Sequence, residues 1–100
     1  MDKAEIITDI EAHIASRGGS YANWYVGIAT DPKDRLFNDH NVSEHGGQWI
    51  HAPADSAATA RAVESHFVNQ RGTAGGTGGG DEDSRHVYAY PITSETREDR

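Results

Sequence analysis

"NWYVGIATDPKDRLFNDHN", residues Asn23 to Asn41, reads as a strand, a turn and the start of a helix. From Trp24 to Thr30 the side chains alternate, with Trp24, Val26 and Ile28 on one face and Tyr25, Gly27 and Ala29 on the other, the period of a strand. Asp31-Pro32 then supplies an N-cap and a first-turn proline, so a short helix is predicted from about Pro32 to Phe37 or Asn38. A lone arginine, Arg35, sits inside an acidic neighbourhood on that helix. The open question is whether this is an ordinary strand-to-helix connection or the core of a site that holds a phosphate.

Working outward, residues 2–17 have the pattern of a helix. Asp2 and Glu5 form a capping-box start, Ile6, Ile7, Ile10 and Ile14 recur at helical spacing, and Gly18-Gly19 is a stop. Beyond the central stretch, residues 39–48 are polar and predict a loop. Trp49 to Ala52 is a short strand ended by Pro53. Asp55 or Ser56 caps a third helix from Ala57 to Arg71, with Ala60, Val63 and Phe67 inward and Gly72 past its end.

Residues 72–84, "GTAGGTGGGDEDS", hold no apolar side chain larger than alanine and predict a Gly-rich loop. It lacks the Gly-Lys-Ser/Thr end of a phosphate-binding P-loop and the spacing of a calcium loop. Arg85 to Tyr90 is the last strand, and the charged tail "SETREDR", residues 94–100, is expected to fray. The pattern is that of one α+β domain over residues 1–93: a small three-stranded, mostly antiparallel sheet packed with about three helices. Trp24, Val26, Ile28, Val63, Phe67 and the Ile6/Ile10/Ile14 stripe are its expected core.

One hundred residues with 35% hydrophobic content support a single modest core. No apolar run approaches the ~20 residues of a membrane span, and Met1 to Glu5 has neither the basic start nor the apolar run of a signal peptide. A cytoplasmic protein is the expectation. Cysteine is absent, which excludes disulfides and thiolate metal sites, and the spacing of His40, His45 and His51 matches no compact zinc pattern. The formal charge of −7 argues against broad charge-driven binding to nucleic acid, yet leaves room for a local phosphate site built from an arginine and a divalent cation.

"YVGIATDPKDRL", Tyr25 to Leu36, resembles the second half-motif of the GIY-YIG nuclease superfamily: a Tyr-Ile-Gly strand, a Thr or Ser, a turn, and an arginine on the next helix. "ATARAVESHF", Ala58 to Phe67, resembles the superfamily's later helix, on which a glutamate binds metal. The resemblance implies that Tyr25, Gly27, Arg35 and Glu64 occupy the family's tyrosine, glycine, arginine and glutamate positions, and covers about residues 24–90. It implies metal-dependent hydrolysis of a nucleic-acid phosphodiester, DNA or RNA. Tyr25 would assist water activation, Arg35 would contact phosphate, and Glu64 would hold Mg²⁺ or Mn²⁺. It also gives His40 a substrate-binding role, because some members carry a polar or basic side chain after the arginine helix.

The family's first half-motif, Gly-Ile-Tyr, is missing from its usual place about ten residues earlier, where the isoleucine helix lies. Tyr21 is too close to Tyr25 to form the other arm of a hairpin. "HVYAYPIT", His86 to Thr93, resembles a GIY-containing strand moved to the end of the chain, which nominates Tyr88 and requires its strand to lie beside that of Tyr25. A different function is also open: a catalytically silent scaffold that presents carboxylates at Asp31, Asp34, Asp39 and 81–83 to a basic protein partner, as a phage-type inhibitor of anti-CRISPR kind would.

Overall fold

The computed structural model describes residues 1–75 and 83–98. Helix α1 (Lys3–Ala15) begins where the sequence predicts: the Asp2 side chain accepts from the Glu5 N–H at 2.9 Å, and the Glu5 side chain accepts in return from the Asp2 N–H at 3.1 Å. Two of the four unsatisfied donors of the first turn are thereby met. Gly18 and Gly19, both at positive φ, close the helix, and the Gly19 N–H returns to the Ile14 carbonyl.

Strand β1 (Trp24–Ala29) leads into a single α-helical turn, α2 (Pro32–Asp34), capped by the Asp31 side chain. The chain then widens into a π-helical turn over Arg35–Asp39. After the loop come β2 (Ile50–Pro53), α3 (Ala57–Ser65) capped by Ser56, a second π-helical stretch over His66–Arg71, and β3 (His86–Pro91). The two elements read as simple helices therefore each finish in a wider turn.

The sheet has the order β1-β3-β2, and both pairings are antiparallel. The C-terminal strand is thus central. Tyr25 faces Tyr90 and Gly27 faces Tyr88 on one side of β3, and His51 faces Tyr88 on the other. Ala74 lies along the outer edge of β1, exchanging hydrogen bonds with Trp24 and Val26 and covering edge groups that would otherwise be open to pairing.

Period-2 alternation splits the sheet between two cores. Trp24, Val26, Ile28, Ala52, Val87 and Ala89 face α1 and α3, where Ile6, Ile10, Ile14, Ala60, Val63 and Phe67 complete the larger core. Each isoleucine and valine among them contributes roughly 1.5–3 kcal/mol through burial. Tyr25, Ala29, Tyr88 and Tyr90 face the opposite side, closed by Leu36 and Val42. This second, tyrosine-rich layer contains the polar groups of interest.

The C-terminal tail departs from expectation. As far as Glu98 it is held: the Arg97 N–H donates to the His40 carbonyl at 2.8 Å and the Asn41 amide donates to the Glu95 carbonyl at 2.9 Å. Of the acidic and glycine-rich stretch singled out above, residues 76–82 lie outside the described ones.

Candidate active site

The site is assembled around the hydroxyl of Tyr88. Its ring passes over Gly27 on the neighbouring strand, so closely that a Cβ there would lie 2.5 Å from the hydroxyl oxygen. Glycine is therefore needed at this point for want of a side chain. The passage carries the hydroxyl toward the segment that follows β1, where Arg35 and His40 meet it.

Arg35 and His40 are five residues apart. An α-helix would separate two such positions by about 140° around its axis. The π-helical turn, closed by the His40 N–H on the Arg35 carbonyl at 2.8 Å, brings both side chains to the same face. Single π turns of this kind are frequent at functional sites. His40 Nε2 lies 2.8 Å from the Tyr88 hydroxyl, and the Arg35 guanidinium is close enough for its charge to act on the same oxygen. Arg35 also pairs with Asp39 at 2.8 Å, which aims the guanidinium and leaves it part-exposed.

His40 is fully buried in a cage of tyrosine rings, with centroid distances of 4.7 Å to Tyr25, 5.5 Å to Tyr88 and 5.1 Å to Tyr90. Burial lowers its affinity for a proton, and the Arg35 charge adds to this; the Arg97 carbonyl, Asp39 and Glu98 oppose it, with a net shift below the ordinary histidine value. His40 is thus neutral at physiological pH, with one nitrogen able to accept. Tyr88 moves the other way. Burial foremost, then Tyr25, holds its phenol well above the usual range, so the hydroxyl keeps its proton until a base takes it.

Glu64 comes from α3, the same helix that contributes Ala60, Val63 and Phe67 to the larger core, and is 4% exposed. It is close enough for its charge to act on the Tyr88 hydroxyl. Burial pushes its carboxyl up to about 7, with Arg61 opposing in part. No ion pair reaches it among the described residues. A buried carboxylate in that condition is costly, and a bound divalent cation would offset the cost. Glu64 therefore fits the requirement of a hard cation that takes one carboxylate and completes its shell with water.

Tyr25, Gly27, Arg35 and His40 thus surround the Tyr88 hydroxyl, while Glu64, buried on α3, acts on it through its charge. The other histidines are not part of the group: His45 is exposed, His66 pairs with Glu11, and His51 stacks on Trp49. No cluster of three or more His, Cys, Asp or Glu side chains suited to a metal occurs among the described residues. Sequence reasoning missed Tyr90, Arg97 and Glu98, which complete the surroundings of His40. The alternation Tyr88-Ala89-Tyr90 was the available signal, since it puts both rings on one face of β3 and buried phenols need partners.

No protein-family model matches this sequence, and no curated protein or solved structure matches it either.

Proposed function

We propose that the protein is a metal-dependent phosphodiester hydrolase acting on nucleic acid, a GIY-YIG-like nuclease whose first half-motif is supplied by β3. The observation that supports this reading is the pairing of Gly27 with Tyr88 across β1 and β3, which brings the tyrosines of the two strands to His40. In chain order the strand of Tyr88 follows the others; in the sheet it pairs antiparallel with the strand of Tyr25.

The chemistry follows from the proton positions. An attacking water passes a proton to the Tyr88 oxygen as the Tyr88 proton moves to His40 Nε2, so the phenol need not ionise in advance. Arg35 places fixed positive charge where the phosphorane oxygens become more negative. A divalent cation at Glu64 would neutralise further charge on the same phosphate. The leaving 3′ or 5′ oxygen takes its proton from solvent.

The alternative, a silent acidic scaffold for a basic protein, is less well supported. Three of its proposed carboxylates already have internal work: Asp31 caps α2, Asp34 accepts from Asn38, and Asp39 pairs with Arg35.

The test is incubation with single- and double-stranded DNA and RNA in Mg²⁺, Mn²⁺ or chelator. Metal-dependent cutting by the wild type, lost in Glu64→Ala and in Tyr88→Phe, is expected. Cutting that survives in Glu64→Ala identifies a contaminant and removes the enzyme reading. Absence of cutting under every condition, together with binding of a basic protein that weakens on reversal of Asp31 or Asp34, selects the scaffold reading.

A further inference from the structure

We propose that the C-terminal tail is a positioning element of the site: the Arg97 carbonyl fixes His40 as its Nδ1–H tautomer, and this makes Nε2 the acceptor for the Tyr88 proton. Only the catalytic consequence rests on the nuclease reading; the tautomer itself does not.

The atoms around His40 admit one consistent assignment. A carbonyl oxygen only accepts, and that of Arg97 lies 2.5 Å from His40 Nδ1. Nδ1 must therefore carry a hydrogen; without it, two lone pairs would face each other at that distance. The Tyr90 hydroxyl is 3.1 Å from the same nitrogen and donates to Glu98 Oε2, also at 3.1 Å. With its proton committed to the carboxylate, the Tyr90 oxygen offers a lone pair to Nδ1–H as well. Both tail contacts thus specify the same tautomer.

In a neutral ring the other nitrogen is then bare. Nε2 faces the Tyr88 hydroxyl at 2.8 Å, and Tyr88 donates to it. When the Tyr88 proton moves to Nε2, the imidazolium that forms keeps a partner at each N–H. The charged and titratable groups facing it are Arg35 and Asp39 from the π turn, Tyr25 from β1, Tyr88 and Tyr90 from β3, and Glu98 from the tail. Glu98 and Asp39 favour the charged ring, and Arg35 opposes it.

The tail is held for this purpose at both ends of the same pair of residues. The Arg97 N–H binds the His40 carbonyl while the Arg97 carbonyl takes the His40 ring hydrogen, a two-point clasp between residues 57 apart. A turn over Thr93–Thr96, with the Thr96 N–H on the Thr93 carbonyl and the Thr93 N–H on Thr96 Oγ1, sends the chain back across His40. The site is incomplete without residues 97 and 98.

The experiment reads the ring nitrogens directly, by two-dimensional ¹H–¹⁵N correlation spectra of the imidazole in the full chain without nucleic acid. The expected result is a protonated Nδ1 and an unprotonated, hydrogen-bonded Nε2 at His40. An Nε2–H tautomer in the intact chain overturns the proposal, whatever any variant does. A chain ending at Thr96 should lose the Nδ1–H preference. If it is a nuclease, kcat should fall about tenfold or more with KM little changed, because proton transfer and not binding is affected. A folded chain of that length that keeps the Nδ1–H tautomer also overturns the proposal. An intact chain with the Nδ1–H tautomer but no cleavage of any substrate supports the tail's role and removes only the hydrolytic reading.

Discussion

The Tyr88 hydroxyl lies where a Cβ on Gly27 would have to be, 2.5 Å from that position. Strand pairing and site geometry are therefore the same contact. Gly27→Ala should displace the Tyr88 ring, break its hydrogen bond to His40, and cost ~1–3 kcal/mol of stability, as overpacking does. Denaturant unfolding measures the stability change, and loss of the Tyr88–His40 bond is visible in the imidazole spectrum. An alanine variant of wild-type stability with His40 unchanged would falsify the close-approach argument.

Glu64 should make stability depend on pH in a defined direction. Its carboxyl is raised from an ordinary value of 4.5 to about 7 in the fold. Below pH 4.5 both folded and unfolded chains hold the proton, and the group's contribution is fully present. Between 4.5 and 7 the unfolded chain releases the proton and the folded one does not, so stability falls as pH rises. Glu64→Gln cannot titrate. Its stability relative to wild type should improve across that window by on the order of 2–3 kcal/mol, and Mg²⁺ should flatten the wild-type dependence. Parallel curves for the two proteins would leave Glu64 without the buried, unpaired character assigned to it.

The two tyrosines should separate in a cleavage assay. Tyr88 is hydrogen-bonded to His40, so Tyr88→Phe removes the proton path and should cost ~10²–10⁴ in rate. Tyr25 meets His40 through its ring at 4.7 Å, and Tyr25→Phe leaves the Tyr88–His40 bond in place. The smaller loss belongs to Tyr25. Arg35→Ala should cost ~10²–10³ through lost stabilisation of developing charge. An equal loss for both phenylalanine variants would transfer the acid–base role to the pair.

Core truncation tests the fold independently of function. Ile10 and Phe67 are fully buried, and replacing either by alanine should cost ~2–5 kcal/mol. Thermal melts unchanged within error would contradict the packing of α1 and α3 against the sheet.

What could be read from the sequence follows its periodicities. Ile6, Ile10 and Ile14 mark one helix face, and Trp24, Val26 and Ile28 mark one strand face; all six lie in the same core. The α+β class follows from those elements. His40 was harder to place, because its inward position depends on a π turn, and "RLFND" carries nothing to distinguish such a turn from an α-helical one. The tail was read as frayed because "SETREDR" has no apolar anchor. Its attachment to His40 runs through the backbone N–H and carbonyl of Arg97, which every residue type but proline possesses and no composition reveals. The approach of Tyr88 to Tyr25 was inferred only because a tyrosine was missing elsewhere, not from any pairing signal in β3 itself.

The central position of β3 also orders events during folding. β1 and β2 never touch as sheet neighbours, so each stays without a strand partner until the last strand arrives. Closing the sheet therefore joins Trp24 to Pro91 across most of the chain, with loop entropy to overcome before any ladder forms. On a ribosome, α1 and β1 would emerge long before their sheet could form and would depend on keeping apolar faces apart until β3 has been made. A nascent chain halted before His86 should accordingly be far more protease-sensitive than one extended past Glu98, although α1 and α3 are already made.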